Sequence, residues 1–217
     1  MNNDMMKKAL YKGVWGTIGP RFKEACQALA QKSNGAFGIL MHSKTAAYET
    51  ALRSLGICHG TAVLCSSSCD KMDSEVAVAI GAQPLFMKAI SAEIAKDMLQ
   101  NHSGIKALVL DFSEEVNLEA IKEVCLEHNC ALILNAGNDL SLTLDYQGLY
   151  AVIFDLGICG GAVTNSEETY NLLFAYHHCG HAPGTAASIS FGGIVGGDMR
   201  VSEFQAIEAM EILKESR

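Results

Sequence analysis

Short apolar runs alternate with amphipathic stretches along most of the chain. Runs of strand length lie at Ala36 to Met41, Thr61 to Cys65, Gln83 to Met87, Ile105 to Asp111, Cys130 to Asn135 and Tyr150 to Phe154. Their near-continuous hydrophobicity predicts strands covered on both faces. Between them, patterns of helical type predict helices over Arg21 to Lys32, Lys44 to Leu55, Asp73 to Ala82, Ala92 to Leu99 and Leu118 to His128. Such alternation predicts βα units in an α/β fold, a three-layer α/β/α domain with a mostly parallel sheet. Local punctuation agrees: Ser113-Glu-Glu and Asn117 supply N-terminal capping residues, and Gly56 and Gly81 sit where helices should end. Further on come a helix from Ser166 to His178, a Gly-rich connection within Pro183 to Gly197 expected to be mobile, and a helix from about Val201 to Lys214.

With 217 residues, 49% of them hydrophobic, the chain can bury a sizeable core as one domain. No apolar run is long enough to span a bilayer and the start lacks a secretory pattern, so the expectation is no membrane and a cytoplasmic location. A net charge of −8 without a basic cluster argues against nucleic acid as a partner. Eight cysteines in such a chain are expected to be reduced thiols packed as small hydrophobes.

Several short motifs occur in a telling order. Gly13-Val-Trp-Gly-Thr-Ile-Gly-Pro20 precedes the first predicted helix, and Ser43-Lys44-Thr45-Ala-Ala opens another. Gly56-Ile-Cys-His-Gly60, Val63-Leu-Cys-Ser-Ser67 and Ile80-Gly-Ala-Gln-Pro-Leu-Phe86 follow, then Gly160-Gly-Ala-Val-Thr-Asn165 and Arg200-Val-Ser-Glu-Phe-Gln-Ala206. Taken together the chain resembles the DegT/StrS-type nucleotide-sugar aminotransferases, pyridoxal-phosphate (PLP) enzymes of fold type I. The resemblance implies the large domain of that fold over residues 1–217. Because the chain stops soon after the Arg200 segment, the family's C-terminal small domain is expected to be absent. Relatives are dimers with sites at the subunit interface, which implies a homodimer or a heteromer with an active paralogue.

The resemblance also implies a pocket, and the chain departs from the family pattern across it. The family's Schiff-base lysine falls between a strand and a Gly-Gly pair. Here Asp155-Leu-Gly-Ile-Cys159 is shorter and holds neither lysine nor histidine. Transamination needs that primary amine to hold the cofactor, exchange amines and shuttle a proton. The family's aspartate beside the pyridine nitrogen aligns with Asn135, a neutral amide. A phosphate-binding serine aligns with Ile153, a ring-stacking aromatic aligns near Asp70, and Lys44 replaces the glycine of the phosphate turn. The expected pocket is therefore vestigial, made of Ser43, Lys44, Thr45, Asp70, Asn135 and Asn138, with no catalytic residue.

Other chemistry is weighed on the residues themselves. Ser43, Lys44 and Thr45 at a helix N-terminus read first as a cap, while free N–H groups and Lys44 still allow PLP or another phosphate ligand. Asn135 and Asn138 read as turn formers or ligand contacts. His177-His-Cys-Gly-His181 has poor zinc spacing and reads as helix-end histidines favouring the dipole, so no metal is expected. Cys69 beside Asp70 is a poor nucleophile. Three classes follow: a non-catalytic binding or partner subunit, which the sequence favours; an aminotransferase-like enzyme with altered chemistry or a non-covalent cofactor; and a thiol- or metal-dependent protein.

Overall fold

The computed structural model describes residues 3–11, 18–66, 68–69, 71–112, 117–140, 142, 144–183 and 193–215. Helices among them are α1 (Asn3–Tyr11), α2 (Pro20–Lys32), α3 (Lys44–Ser54), α4 (Lys71–Ala79), α5 (Ala92–Asn101), α6 (Leu118–Glu127), α7 (Glu167–His177) and α8 (Glu203–Glu215). Strands are β1 (Phe37–Met41), β2 (Ala62–Cys65), β3 (Gln83–Phe86), β4 (Ile105–Asp111), β5 (Ala131–Gly137), β6 (Ala151–Asp155) and β7 (Gly160–Thr164). They form one mixed sheet in the order β1-β7-β6-β5-β4-β2-β3, in which β7 alone runs against the rest. The predicted three-layer, mostly parallel α/β architecture is what forms.

The glycines of β7 show why helices cover both faces. Successive strand residues point to opposite sides. A Cβ on Gly160 would meet the backbone of Ser43 and Lys44 at the start of α3, whereas one on Gly161 would meet Leu29 of α2. Thus α2 and α3 lie on opposite faces, and the sheet between them is a continuous core from Ile39 to Val163. On β1, Gly38 meets α2 in the same way, with the Cys26 carbonyl where its side chain would be. Gly38→Ala is expected to force α2 outward and cost about 1–3 kcal/mol, read as a lower urea midpoint at unchanged m-value.

Helix ends follow the chemistry read from sequence. Ser43, Ser91, Asn117 and Ser166 each accept a backbone N–H from the first turn of α3, α5, α6 and α7. Gly56 (φ +66) and Gly81 (φ +89) adopt the left-handed conformation just past α3 and α4, letting the next N–H groups return to helix carbonyls. The capping residues expected at 113–115 lie outside the described residues, as does most of the segment 13–20.

Three expectations are corrected. β3 is not covered on both faces: it is an edge strand, Gln83 is exposed and Phe86 is 52% exposed. Proline within it is tolerated because an edge strand leaves one side unpaired. Helix α1 was not foreseen, although Met5 and Met6 give it an apolar side; it packs on α8. The Gly-rich connection is partly anchored. Residues 184–192 lie outside the described residues, but Gly197 and Met199 donate to the Tyr176 and His177 carbonyls (2.8 and 3.0 Å), closing the C-terminus of α7.

Candidate functional site

Ligand sites in α/β sheets lie beyond the carboxyl ends of the strands. At that edge, β4 ends in Asp111 and its register partner on β5 is Asn135. The Asn135 amide nitrogen donates to Asp111 (2.6 Å) and reaches Asp73 on α4 (3.5 Å), while its carbonyl oxygen accepts from the Gly137 N–H (3.0 Å). Asn135 is thus committed on both sides of its amide and stands in a strand, not in a turn. Asp111 also accepts from Ser68 in the loop after β2 (3.1 Å).

Lys44 completes the cluster from α3. Its ammonium lies 3.4 Å from Asp73 and over the Tyr48 ring, 5.9 Å from the centroid. The Asp73 side chain is 1% exposed and that of Lys44 17%, so this ion pair is largely withdrawn from water. Tyr48 is fully buried beneath it, and burial together with Asp73 holds its phenol well above the usual range. The Lys44 ammonium thus pairs with Asp73, and Asn135 links Asp73 to a second carboxylate, Asp111, within a single connected cluster.

The candidate residues separate on this geometry. Lys44 and Asn135 are brought together through Asp73. Ser43 is occupied as the cap of α3, accepting from the Ala46 N–H (3.0 Å), and Thr45 is half-buried in the first helical turn. Asn138 is exposed in the turn after β5, away from this chain of contacts. Asp70 lies outside the described residues. Ile153, on β6 beside Asn135, presents a fully buried apolar side chain. Asp73, Asp111 and Tyr48 were not foreseen; an acid closing the apolar run Ile105 to Asp111 was the available signal.

The segment without lysine is a tight hairpin. β6 and β7 pair antiparallel up to Asp155 and Gly160, leaving only residues 156–159 to turn the chain. Gly157 donates to the Asp155 carboxylate (2.8 Å), Leu156 to the Cys159 carbonyl (2.9 Å), and Leu156 and Cys159 are buried. The Arg200 to Ala206 segment braces it: Gln205 donates to the Ile158 carbonyl (3.3 Å). Gln205 also accepts from the Ser202 N–H (3.0 Å) while Ser202 accepts from the Gln205 N–H (3.2 Å), a capping box on α8. Gln205→Ala is expected to cost about 1–2 kcal/mol, seen as a lower melting temperature, through loss of the box and the brace.

Histidine and cysteine side chains settle into other roles. His177 is fully buried at the end of α7, stacked on Phe22 at 5.6 Å, and burial with His178 lowers its pKa to about 3. It is therefore neutral and cannot be the dipole-favouring cation expected from sequence. Among the described residues no group of three or more His, Cys, Asp or Glu could hold a metal ion. The eight cysteines are free; Cys26, Cys65, Cys125, Cys130 and Cys159 are buried, but Cys58 and Cys179 are exposed, contrary to uniform packing as hydrophobes. The Cys69 thiol is pushed upward by Cys65, burial, Asp73 and Asp111, which disfavours a nucleophilic thiolate. No helix among the described residues is long and apolar enough to cross a membrane.

Comparison with known structures agrees with the architecture. An aminotransferase from Psychrobacter cryohalolentis is 19% identical at a TM-score of 0.80, over 97% of this chain and 60% of that one. NtdA from Bacillus subtilis, solved with bound cofactor PMP, is 16% identical at 0.84, over 98% and 52%. DesV from S. venezuelae, in complex with a ketimine intermediate, is 17% identical at 0.82, over 99% and 61%. This chain thus spans between 52% and 61% of the length of these three, and at such identities the likeness concerns the fold, that of fold type I PLP aminotransferases. The DegT/DnrJ/EryC1/StrS aminotransferase family model matches residues 1–148, which covers the Lys44, Asp73, Asp111 and Asn135 segments and stops before the β6–β7 hairpin. The chain belongs to the DegT/DnrJ/EryC1/StrS aminotransferase family.

Proposed function

We propose that this chain is a non-catalytic member of its family, a binding or partner subunit that keeps the scaffold and does not carry out transamination. The observation that carries this reading is the cluster Lys44–Asp73–Asn135–Asp111, whose polar groups engage one another at the strand ends where a cofactor would lie. PLP chemistry requires a lysine for the Schiff base and an ionic partner for the pyridine nitrogen, together with donors for a phosphate dianion. The residues present fit those needs poorly. The hairpin 156–159 offers no amine, the Asn135 amide is neutral and already bonded on both sides, and Lys44 is paired with Asp73.

A second reading rests on Lys44 itself, a primary amine in the cluster and 17% exposed. It would make the protein an aminotransferase-like enzyme with altered chemistry. An ammonium held by a buried carboxylate is a poor nucleophile, because the pair favours the protonated form. The expected result of adding PLP to the purified protein is the absorbance of free cofactor alone; a red-shifted band that survives desalting would contradict the non-catalytic reading. For the partner role, mixing with an intact family aminotransferase is expected to give a complex in native mass spectrometry. If the chain stays apart from such enzymes and from itself, the partner role fails.

A further inference from the structure

We propose that Lys44 is a built-in counter-ion for this pocket and that Asp73 is the residue holding it, so the folded chain is stable there without any bound anion or cofactor. This rests on the non-catalytic reading above and adds the device that replaces the ligand. The case begins with Asp73, whose side chain is 1% exposed on α4. A buried carboxylate is costly unless it is paired and hydrogen-bonded. Its partners come from two other elements: Lys44 of α3 at 3.4 Å and Asn135 of β5 at 3.5 Å.

The chain of contacts continues through Asn135 to Asp111 and on to Ser68. It therefore ties together α3, α4, β5, β4 and the loop after β2. Bound ligands commonly provide such a link across the carboxyl ends of strands; here side chains provide it. The charge pattern also opposes an anionic visitor. A phosphate group at Lys44 would compete with Asp73 for the same ammonium, so the loss of an existing pair and repulsion from the Asp73 carboxylate both act against it. The Lys44 ammonium also lies over the Tyr48 ring, a contact that an uncharged residue at this position would lose.

The two residues are coupled in a way that a thermal-melting cycle on the full chain can read. Lys44→Met strands the Asp73 charge and is expected to lower the melting temperature by about 10 °C. Asp73→Asn costs less, because Lys44 can turn toward water. The decisive variant is K44M/D73N, which removes both charges and is expected to melt above K44M; where K44M does not fold, recovery of a folded double variant is the same result. A double variant at or below K44M would overturn the proposal. Millimolar PLP or inorganic phosphate is expected to leave the wild-type melting temperature unchanged, and a rise of several degrees with either would also overturn it. Loss of coupling without any covalent PLP adduct would sink this proposal alone, whereas an adduct would sink the non-catalytic reading.

Discussion

Glu203→Ala is expected to remove about 3–5 kcal/mol of stability, the largest loss from any single side-chain substitution, through the N-terminus of α2 rather than through the Lys44–Asp111 cluster. Glu203 is buried at the start of α8, and its two carboxylate oxygens accept from the Arg21 and Phe22 N–H groups at 3.0 Å each. These are the unsatisfied donors at the N-terminus of α2, which begins at Pro20 and has no cap from its own Gly19. A carboxylate there is favoured by two charge-assisted hydrogen bonds and by the helix dipole. Alanine removes both bonds and leaves the N–H groups without an acceptor in the core. Glu203→Gln keeps one acceptor oxygen and should lose roughly half as much. Gly19→Ala probes the same contact from the other side, since a Cβ there would strike the Glu203 carboxylate. Urea unfolding of the three variants checks the ranking. An alanine variant as stable as wild type would show that α2 does not depend on this cap.

The second large effect is a loss of stability in mild acid, centred on His177. Its folded pKa of about 3 lies below the ordinary imidazole value of 6.5, with burial the main cause and His178 next. Between those values the unfolded chain binds a proton that the folded chain excludes, so stability falls as pH falls. The contribution is complete above pH 6.5 and declines through the window down to 3. From pH 7 to pH 5 the expected loss is about 2 kcal/mol, and over the whole window about 5 kcal/mol. His178 is lowered as well, chiefly by burial, and acts in the same direction. His177→Phe keeps an aromatic ring against Phe22 and removes the titration. The measurement is the slope of unfolding free energy between pH 7 and pH 5, which should be shallower in the variant. Equal slopes would place the acid sensitivity elsewhere.

The fold was legible because apolar strands and helical stretches alternate with little ambiguity, and the strand boundaries move by only one or two residues. What sequence could not supply is the pairing partner of each element. Gln83 to Phe86 reads as a core strand by composition, yet its place at the sheet edge exposes Phe86. The site was legible in part. Lys44 and Asn135 stood out as departures from a pattern, but Asp73 and Asp111 lie 29 and 67 residues after Lys44 and join the cluster only in the fold, Asp73 by pairing with Lys44 and Asp111 through Asn135.

The Arg200 to Ala206 segment shows a related limit. It looked like a marker of an enzyme family, and here its residues act as parts of the frame: Ser202 and Gln205 cap α8, Glu203 caps α2, and Arg200 makes a two-pronged pair with Asp198 at 2.6 and 2.8 Å. These contacts concern helix ends rather than cofactor chemistry. A motif can therefore persist because the scaffold needs it. That distinction matters for the pocket, where the groups that would do chemistry are the ones engaged with each other.

The most direct test of the central claim is to incubate the full chain with PLP, reduce with borohydride and measure the intact mass. The account predicts an unmodified chain, because the 156–159 hairpin offers no lysine and Lys44 is held by Asp73. A stoichiometric pyridoxyl adduct mapping to Lys44, or to any single lysine, would contradict it.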